Sequence, residues 1–268
     1  MRRSHKISHS SDECATVTNV FTLPTPDRHP MTPPALRFQQ VELRYGATPV
    51  LQSVDLSVQA GECVALVGLN GAGKTSLIKC LLDFIVADSG SIEIFGQPHR
   101  QPTSRAALGY LPEQFIPPYY LTGAEFIRYV LRLQGVEYQP DQVVAMLAAL
   151  DLAPAALEQR VGQYSKGMTQ KLGLAACLLA HKPLYVLDEP MSGLDPRAHA
   201  RLRQQLADLR ARGSSVFLTS HNLADVELLC DRLAILHAGR IRFSGSPEEC
   251  RQRYGTATLE QAFLACIE

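Results

Sequence analysis

The chain has 268 residues, 46% hydrophobic and 19% charged, the composition of an ordinary globular protein long enough to bury a sizeable core. Lysine plus arginine and aspartate plus glutamate number 26 each, and a formal charge of zero argues against a nucleic-acid binder working through a strong basic field. The longest stretch without Asp, Glu, Lys or Arg runs only from Cys14 to Pro26, so no membrane-spanning segment is expected. Arg2-Arg3-Ser4-His5-Lys6 is followed by Asp12 and Glu13 rather than an apolar block, so no signal peptide is expected either.

Residues 1–34 are rich in Ser, Thr, His and Pro and show no periodicity, which predicts a disordered extension. Structured sequence is expected just after Met31, itself a candidate translation start. From Leu36 the pattern alternates as half-buried strands do, at Leu36-Arg37-Phe38 and from Val50 to Val58. Cys63-Val64-Ala65-Leu66-Val67 is a short, wholly apolar run of buried-strand type, and Ser91 to Phe95 alternates again. The period turns helical between about residues 115 and 180, where Phe126, Ile127, Val130 and Leu131 and then Val143, Val144, Leu147 and Leu150 recur at helical spacing. Strand-like runs return at Leu184–Leu187, Val216–Thr219 and Leu233–His237, with a basic amphipathic helix from Ala198 to Arg212 between the first two. Strands alternating with helices predict a mainly parallel α/β sheet interrupted by a helical insertion. The last stretch, 247–268, reads as an amphipathic helical tail with Leu259, Ala262, Phe263 and Cys266 on one face. The seven cysteines (Cys14, Cys63, Cys80, Cys177, Cys230, Cys250 and Cys266) are scattered and never spaced C-x-x-C, so they are expected to be small core residues rather than a disulfide or zinc framework.

Gly68-Leu69-Asn70-Gly71-Ala72-Gly73-Lys74-Thr75 fits G-x-x-x-x-G-K-[ST] and stands where that pattern needs to stand, after a strand and opening a helix at Ser76-Leu77. Glycines let the backbone curl so that successive N–H groups point at a β-phosphate, and the helix start adds partial positive charge. Lys74 would neutralise β- and γ-phosphate oxygens, and the Thr75 hydroxyl would ligate Mg²⁺. Further along, Leu184-Tyr185-Val186-Leu187 ends in Asp188-Glu189. Mg²⁺ takes one or two carboxylates beside phosphate oxygens and water, which suits Asp188, and Glu189 is placed to polarise an attacking water as general base.

Over nearly everything from Leu36 to Ser246 the chain resembles the ATP-binding-cassette (ABC) ATPase family. Tyr164-Ser165-Lys166-Gly167-Met168 is similar to the family signature Leu-Ser-Gly-Gly-Gln and precedes a helix expected over Thr169–Ala180. Ser192-Gly193-Leu194-Asp195 is similar to the family loop that crosses a dimer interface, His221 to the switch histidine, and Tyr45 to the aromatic that stacks on adenine. The resemblance implies a P-loop NTPase core with a mainly parallel sheet, an N-terminal antiparallel β subdomain and an inserted helical subdomain. It places the ATPase domain at 35–246, with the insertion at about 115–180. It implies that the chain hydrolyses ATP with Mg²⁺, using Lys74, Glu189 and His221 catalytically. Tyr45, the loop from Gly68 to Ser76 and, across a head-to-tail dimer, Ser165, Gly167 and Asp195 would bind nucleotide. Thr75 and Asp188 would hold the metal, joined by Glu113 or Gln114, since Tyr110-Leu111-Pro112-Glu113-Gln114 carries Glu where the family has Gln. Lys166 and Met168 also depart from the signature.

These departures, with Tyr120-Leu121-Thr122-Gly123-Ala124-Glu125-Phe126, look like the exporter-type branch that pairs with small membrane subunits. The expected function is the ATPase subunit of a transporter, a homodimer or a pair with a paralogue. It would sit on the cytoplasmic face of a membrane through a multi-span permease, with Phe115, Ile116, Tyr119 and Tyr120 as candidate contacts. The alternative is a non-transport cassette ATPase of DNA repair, chromosome organisation or translation. Those relatives carry paired cassettes, long coiled coils or zinc insertions, none of which is present here. A GTPase or small-molecule kinase would leave the signature and His221 unexplained, and no Asn-Lys-x-Asp motif is present. No nucleic-acid partner is expected.

Overall fold

The computed structural model describes residues 33–268; nearly all of the 1–34 extension, with Cys14, lies outside them. Two sheets carry the fold. Strands β1 (Leu36–Tyr45), β2 (Thr48–Val58), β4 (Ser89–Ile94) and β5 (Gln97–Pro98) form an antiparallel sheet in the order β2-β1-β4-β5. The second sheet runs β10-β9-β3-β8-β7-β6, from β3 (Cys63–Val67), β6 (Leu108–Leu111), β7 (Leu184–Leu187), β8 (Ser215–Ser220), β9 (Arg232–His237) and β10 (Arg240–Gly245). It is parallel from β9 to β6, and only β10 pairs antiparallel.

The all-apolar run of β3 has a direct explanation. Its side chains alternate between two cores, Cys63, Ala65 and Val67 entering one and Val64 and Leu66 the other. A strand buried on both faces keeps no polar position. The second core lies against the antiparallel sheet and takes Leu77, Ile78 and Leu81 of helix α1 (Lys74–Leu81). The first core is covered by α3 (Gly123–Leu133), α4 (Pro140–Ala149), α5 (Lys166–Leu178), α6 (Pro196–Ala211) and α7 (Leu223–Leu229). Helices α8 (Pro247–Tyr254) and α9 (Leu259–Ile267) follow, and a short helix, α2 (Pro102–Arg105), precedes β6. No helix of the described residues is long and apolar enough to cross a membrane.

Several elements differ from the expectation in ways that have a local cause. Helix α5 starts at Lys166, three residues early, because the Ser165 hydroxyl accepts from the Met168 N–H at 3.2 Å and caps it. Strand β6 is four residues long and carries too little pattern to be read. Strand β10 does alternate, Arg240 and Arg242 with Ile241 and Phe243, as a half-buried strand should, and is a strand that the expectation lacked. Among the four candidate contacts, Ile116, Tyr119 and Tyr120 are exposed. Phe115 instead packs edge-on against Phe126, ring centroids 5.5 Å apart, half-buried against the core. Cys63, Cys80, Cys177, Cys230 and Cys250 are buried thiols.

Phe115 fixes the α5 face against β6. A Cβ added at Gly173 would stand 2.7 Å from Phe115 Cδ1 and 2.9 Å from Leu111 Cδ1. Gly173→Val therefore overpacks this layer, at about 1–3 kcal/mol, against a helix-propensity gain below about 1 kcal/mol. Urea unfolding is expected to show a lower midpoint with an unchanged slope.

Candidate functional site

The turn from β3 to α1 is built on left-handed glycines, Gly71 at φ 79° and Gly73 at φ 111°, conformations that cost glycine nothing. Space demands them too, since a Cβ at Gly73 would stand 2.9 Å from Leu51 Cδ2 and one at Gly68 only 2.3 Å from the Leu236 carbonyl oxygen. No side chain caps α1 and no acidic residue lies in its first turn, so the first amides and the positive helix end face a cleft of about 800 Å³. Lys74 is buried, and its Nζ donates to the carbonyls of Gly68 at 2.7 Å and Leu69 at 3.3 Å. The ammonium is thus strapped across its own loop. Tyr45 stands half-exposed at the edge of the same cleft, its hydroxyl 3.4 Å from Ser76 Oγ.

The parallel strands β7 and β8 bring the carboxylates and the histidine to this loop. Thr75 Oγ1 lies 3.5 Å from Asp188 Oδ2, and Asp188 Oδ1 accepts from Thr219 Oγ1 at 2.6 Å. The same Thr219 oxygen accepts the Glu189 N–H at 2.9 Å, so one hydroxyl sets the position of both acidic residues. Glu189 holds a left-handed backbone, φ 49°, a strained state for a non-glycine residue and one that recurs at functional sites. Its Oε2 lies 2.8 Å from His221 Nδ1, on an imidazole that borders the cleft and whose side chain is 71% exposed, while the Glu189 side chain is 10% exposed.

Burial pushes the Asp188 carboxyl above its ordinary range. The Thr219 hydrogen bond opposes that push, the Glu113 carboxylate adds to it, and Lys74 and Thr75 oppose it more weakly. A buried carboxylate beside a hydroxyl, with a second carboxylate near, is an oxygen-only donor set suited to a hard divalent cation. The cation's charge would also relieve the burial cost. Glu113 lines the cleft and Gln114 does not. The residues present would fit a triphosphate and Mg²⁺ here.

Three expected site residues stand elsewhere. Ser165 caps α5, a Cβ at Gly167 would lie 3.1 Å from the Gly193 carbonyl oxygen, and Asp195 accepts from the Ala198 N–H at 2.9 Å to cap α6. Asp195 Oδ2 also lies 3.7 Å from Lys171 Nζ. They form a second group, the start of α5 against the Ser192–Asp195 loop, outside the cleft of their own chain. Conversely, Thr219, Leu223 and Phe263 belong to the site and were not singled out from the sequence. For Thr219 a signal existed. A threonine near the end of a strand buried throughout needs a partner for its hydroxyl.

A family model described as ABC transporter matches residues 51–192. An uncharacterized ABC transporter ATP-binding protein of Synechocystis sp. is 41% identical over 202 residues, 74% of this chain. The Nod factor export ATP-binding protein I of Burkholderia orbicola is 36% identical over 214 residues, 78% of this chain and 70% of that protein. The chain spans 57% of the Synechocystis relative's length and 60% of a similar Nostoc protein's. Among solved structures, an ATP-binding subunit of an ABC transporter is similar over 87% of this chain and 99% of its own, at 32% identity and a TM-score of 0.81. A bacterial Atm1-family ABC exporter with ATP bound is similar over 88% of this chain and 43% of its own, at 25% identity and a TM-score of 0.76.

The raised Asp188 carboxyl makes a pH prediction. Its folded-state pKa lies above the unfolded value, so the stability it contributes is complete below the ordinary carboxylate range and is lost as pH rises through the raised value. Asp188→Asn stays neutral and can still accept from Thr219. Without nucleotide or metal, this variant is expected to melt higher than the wild type at pH 7 and at the same temperature below about pH 4.

Proposed function

The chain belongs to the ABC transporter family, and on that premise we propose that it is the ATP-hydrolysing subunit that drives a separate membrane-spanning partner. The observation that carries the reading is the convergence of Lys74, Thr75, Asp188, Glu189 and His221 on one cleft, with Glu189 and His221 joined at 2.8 Å. The curled loop and the open start of α1 bind the phosphates through backbone N–H groups. On binding, Lys74 exchanges its loop carbonyls for β- and γ-phosphate oxygens. Thr75 and Asp188, with Glu113 beside them, would hold Mg²⁺, which would supply charge neutralisation for the phosphates. Glu189 takes a proton from the attacking water, and His221 orients that carboxylate while reaching the γ-phosphate from the exposed side of its ring. Tyr45 stacks on the base at the outer end.

Ser165, Gly167 and Asp195 lie outside this cleft, which suits a head-to-tail dimer in which they complete the site of a second subunit. The start of α5, where Ser165 caps the Met168 N–H, then offers its remaining amides to the γ-phosphate. The names of the Burkholderia relative and of the Atm1-family neighbour favour export as the direction. The exposed Ile116, Tyr119 and Tyr120 are the proposed contacts to the membrane partner, which would hold the protein at the cytoplasmic face.

Two experiments test this reading. Phosphate release and equilibrium ATP binding on Glu189→Gln are expected to show turnover reduced about 10²-fold or more with binding retained; wild-type turnover would remove Glu189 as the base. Pull-down of the tagged chain from detergent-solubilised membranes is expected to bring a stoichiometric multi-span protein. Recovery of ribosomes, DNA or soluble proteins alone would favour the non-transport class.

A further inference from the structure

Asp225, on α7, lies outside the nucleotide cleft, is 5% exposed, and has its two oxygens shared by three side chains. Oδ2 accepts from Asn222 Nδ2 at 2.9 Å, and Oδ1 accepts from Arg203 Nη1 at 3.2 Å. His199 Nδ1 stands 3.5 Å from Oδ2. Arg203 and His199 are one turn apart on α6, so both present to the same side of that helix. The other nitrogen of His199, Nε2, lies 3.0 Å from the Met191 carbonyl oxygen. One buried carboxylate therefore has a hydrogen bond to the residue after His221 and, through His199, a link to the chain two residues after Glu189. At the far end of the same helices Arg210 donates to the Leu229 carbonyl at 3.3 Å and pairs with Asp231. Helices α6 and α7 are thus pinned to each other at both ends.

Only the carboxylate of this group is fully buried, Arg203 being about a third exposed, and a buried carboxylate tolerates little displacement of its partners, because moving them strands its charge in a poor solvent. Helix α6 is capped by Asp195, the last residue of the Ser192–Asp195 loop, and α7 by Asn222, the residue after His221. We propose that Asp225 is a positioning residue that makes α6 and α7 a single lever, so that displacement of the Ser192–Asp195 loop is delivered to His221 and its hydrogen bond with Glu189. The inference rests on the ATPase reading above, in which a second subunit docks on that loop.

The test is steady-state ATP hydrolysis by the full chain, with ATP affinity measured in the Glu189→Gln background. Asp225→Asn keeps the shape, removes the charge and turns an amide towards donors. Its kcat is expected to fall between about tenfold and a hundredfold, as small misplacements of reacting groups do, with KM and ATP affinity within about twofold of wild type. Asp225→Glu is expected to restore most of the loss. His199→Gln, which can still donate to Met191 but drops the link to Asp225, gives the same kcat-only signature if the carboxylate variant folds poorly. Unchanged kcat per ATP-binding site in both variants, with only a lower melting temperature, would overturn the lever and leave the ATPase reading standing. Absence of hydrolysis by the wild type overturns both together.

Discussion

Everything at the nucleotide cleft depends on the parallel pairing of β3, β8 and β7. Val67 lies opposite Ser220, and Leu187 opposite Leu218, so the three strands deliver their carboxyl ends to one edge of the sheet. The phosphate loop leaves from the first, His221 from the second and Asp188-Glu189 from the third. In open parallel sheets that edge is where ligands sit. A slip of one residue in any strand would turn its apolar side chains to the other core and carry the functional residue out of reach. Both cores of β3 being apolar, it is their close packing and not polarity that opposes the slip.

Within that frame the site is held by a small number of polar contacts. Thr219 spends a single hydroxyl on both acidic residues, and Lys74 bridges its own loop. The left-handed Glu189 stores strain that only a rigid surround can hold. Its N–H is taken by Thr219 and its carbonyl by the Ser192 N–H at 3.0 Å. The backbone is thereby fixed on both sides of the carboxylate.

The sequence made the phosphate loop and the Asp188-Glu189 strand end legible because their chemistry is local. A glycine-rich turn between an apolar strand and a helix specifies its own shape. The α/β class was equally open, since β3, β7 and β8 are short wholly buried runs. What stayed hidden is relational. Phe263 shows in the sequence as part of an amphipathic stripe, but nothing in the stripe says that its helix packs beside the cleft. Asp225 reads as one more charged residue early in a helix until α6 is laid against it. Glu113 and Gln114 were equivalent until the chain turned one of them to the cleft. Helix α5 was placed late because Ser165-Lys166-Gly167-Met168 has no apolar period, though a serine before a helix is itself a start signal.

The strand order has a bearing on how the protein is made. Strand β3 lies inside the sheet, yet both its neighbours come from far downstream, Leu66 pairing with Thr219 on one side and Ala234 on the other. During synthesis the complete phosphate loop leaves the ribosome attached to an apolar strand with two unsatisfied edges, and it stays so until β8 and β9 emerge. Pairings so distant in sequence are slow to close, and an apolar strand waiting with open edges is prone to stick to other chains. The antiparallel β1–β2 hairpin, finished before β3 appears, offers an early surface for the Val64 and Leu66 face. The opposite face has no such cover, which makes the interval between β3 and β8 the stretch of translation in which a chaperone has the most to do.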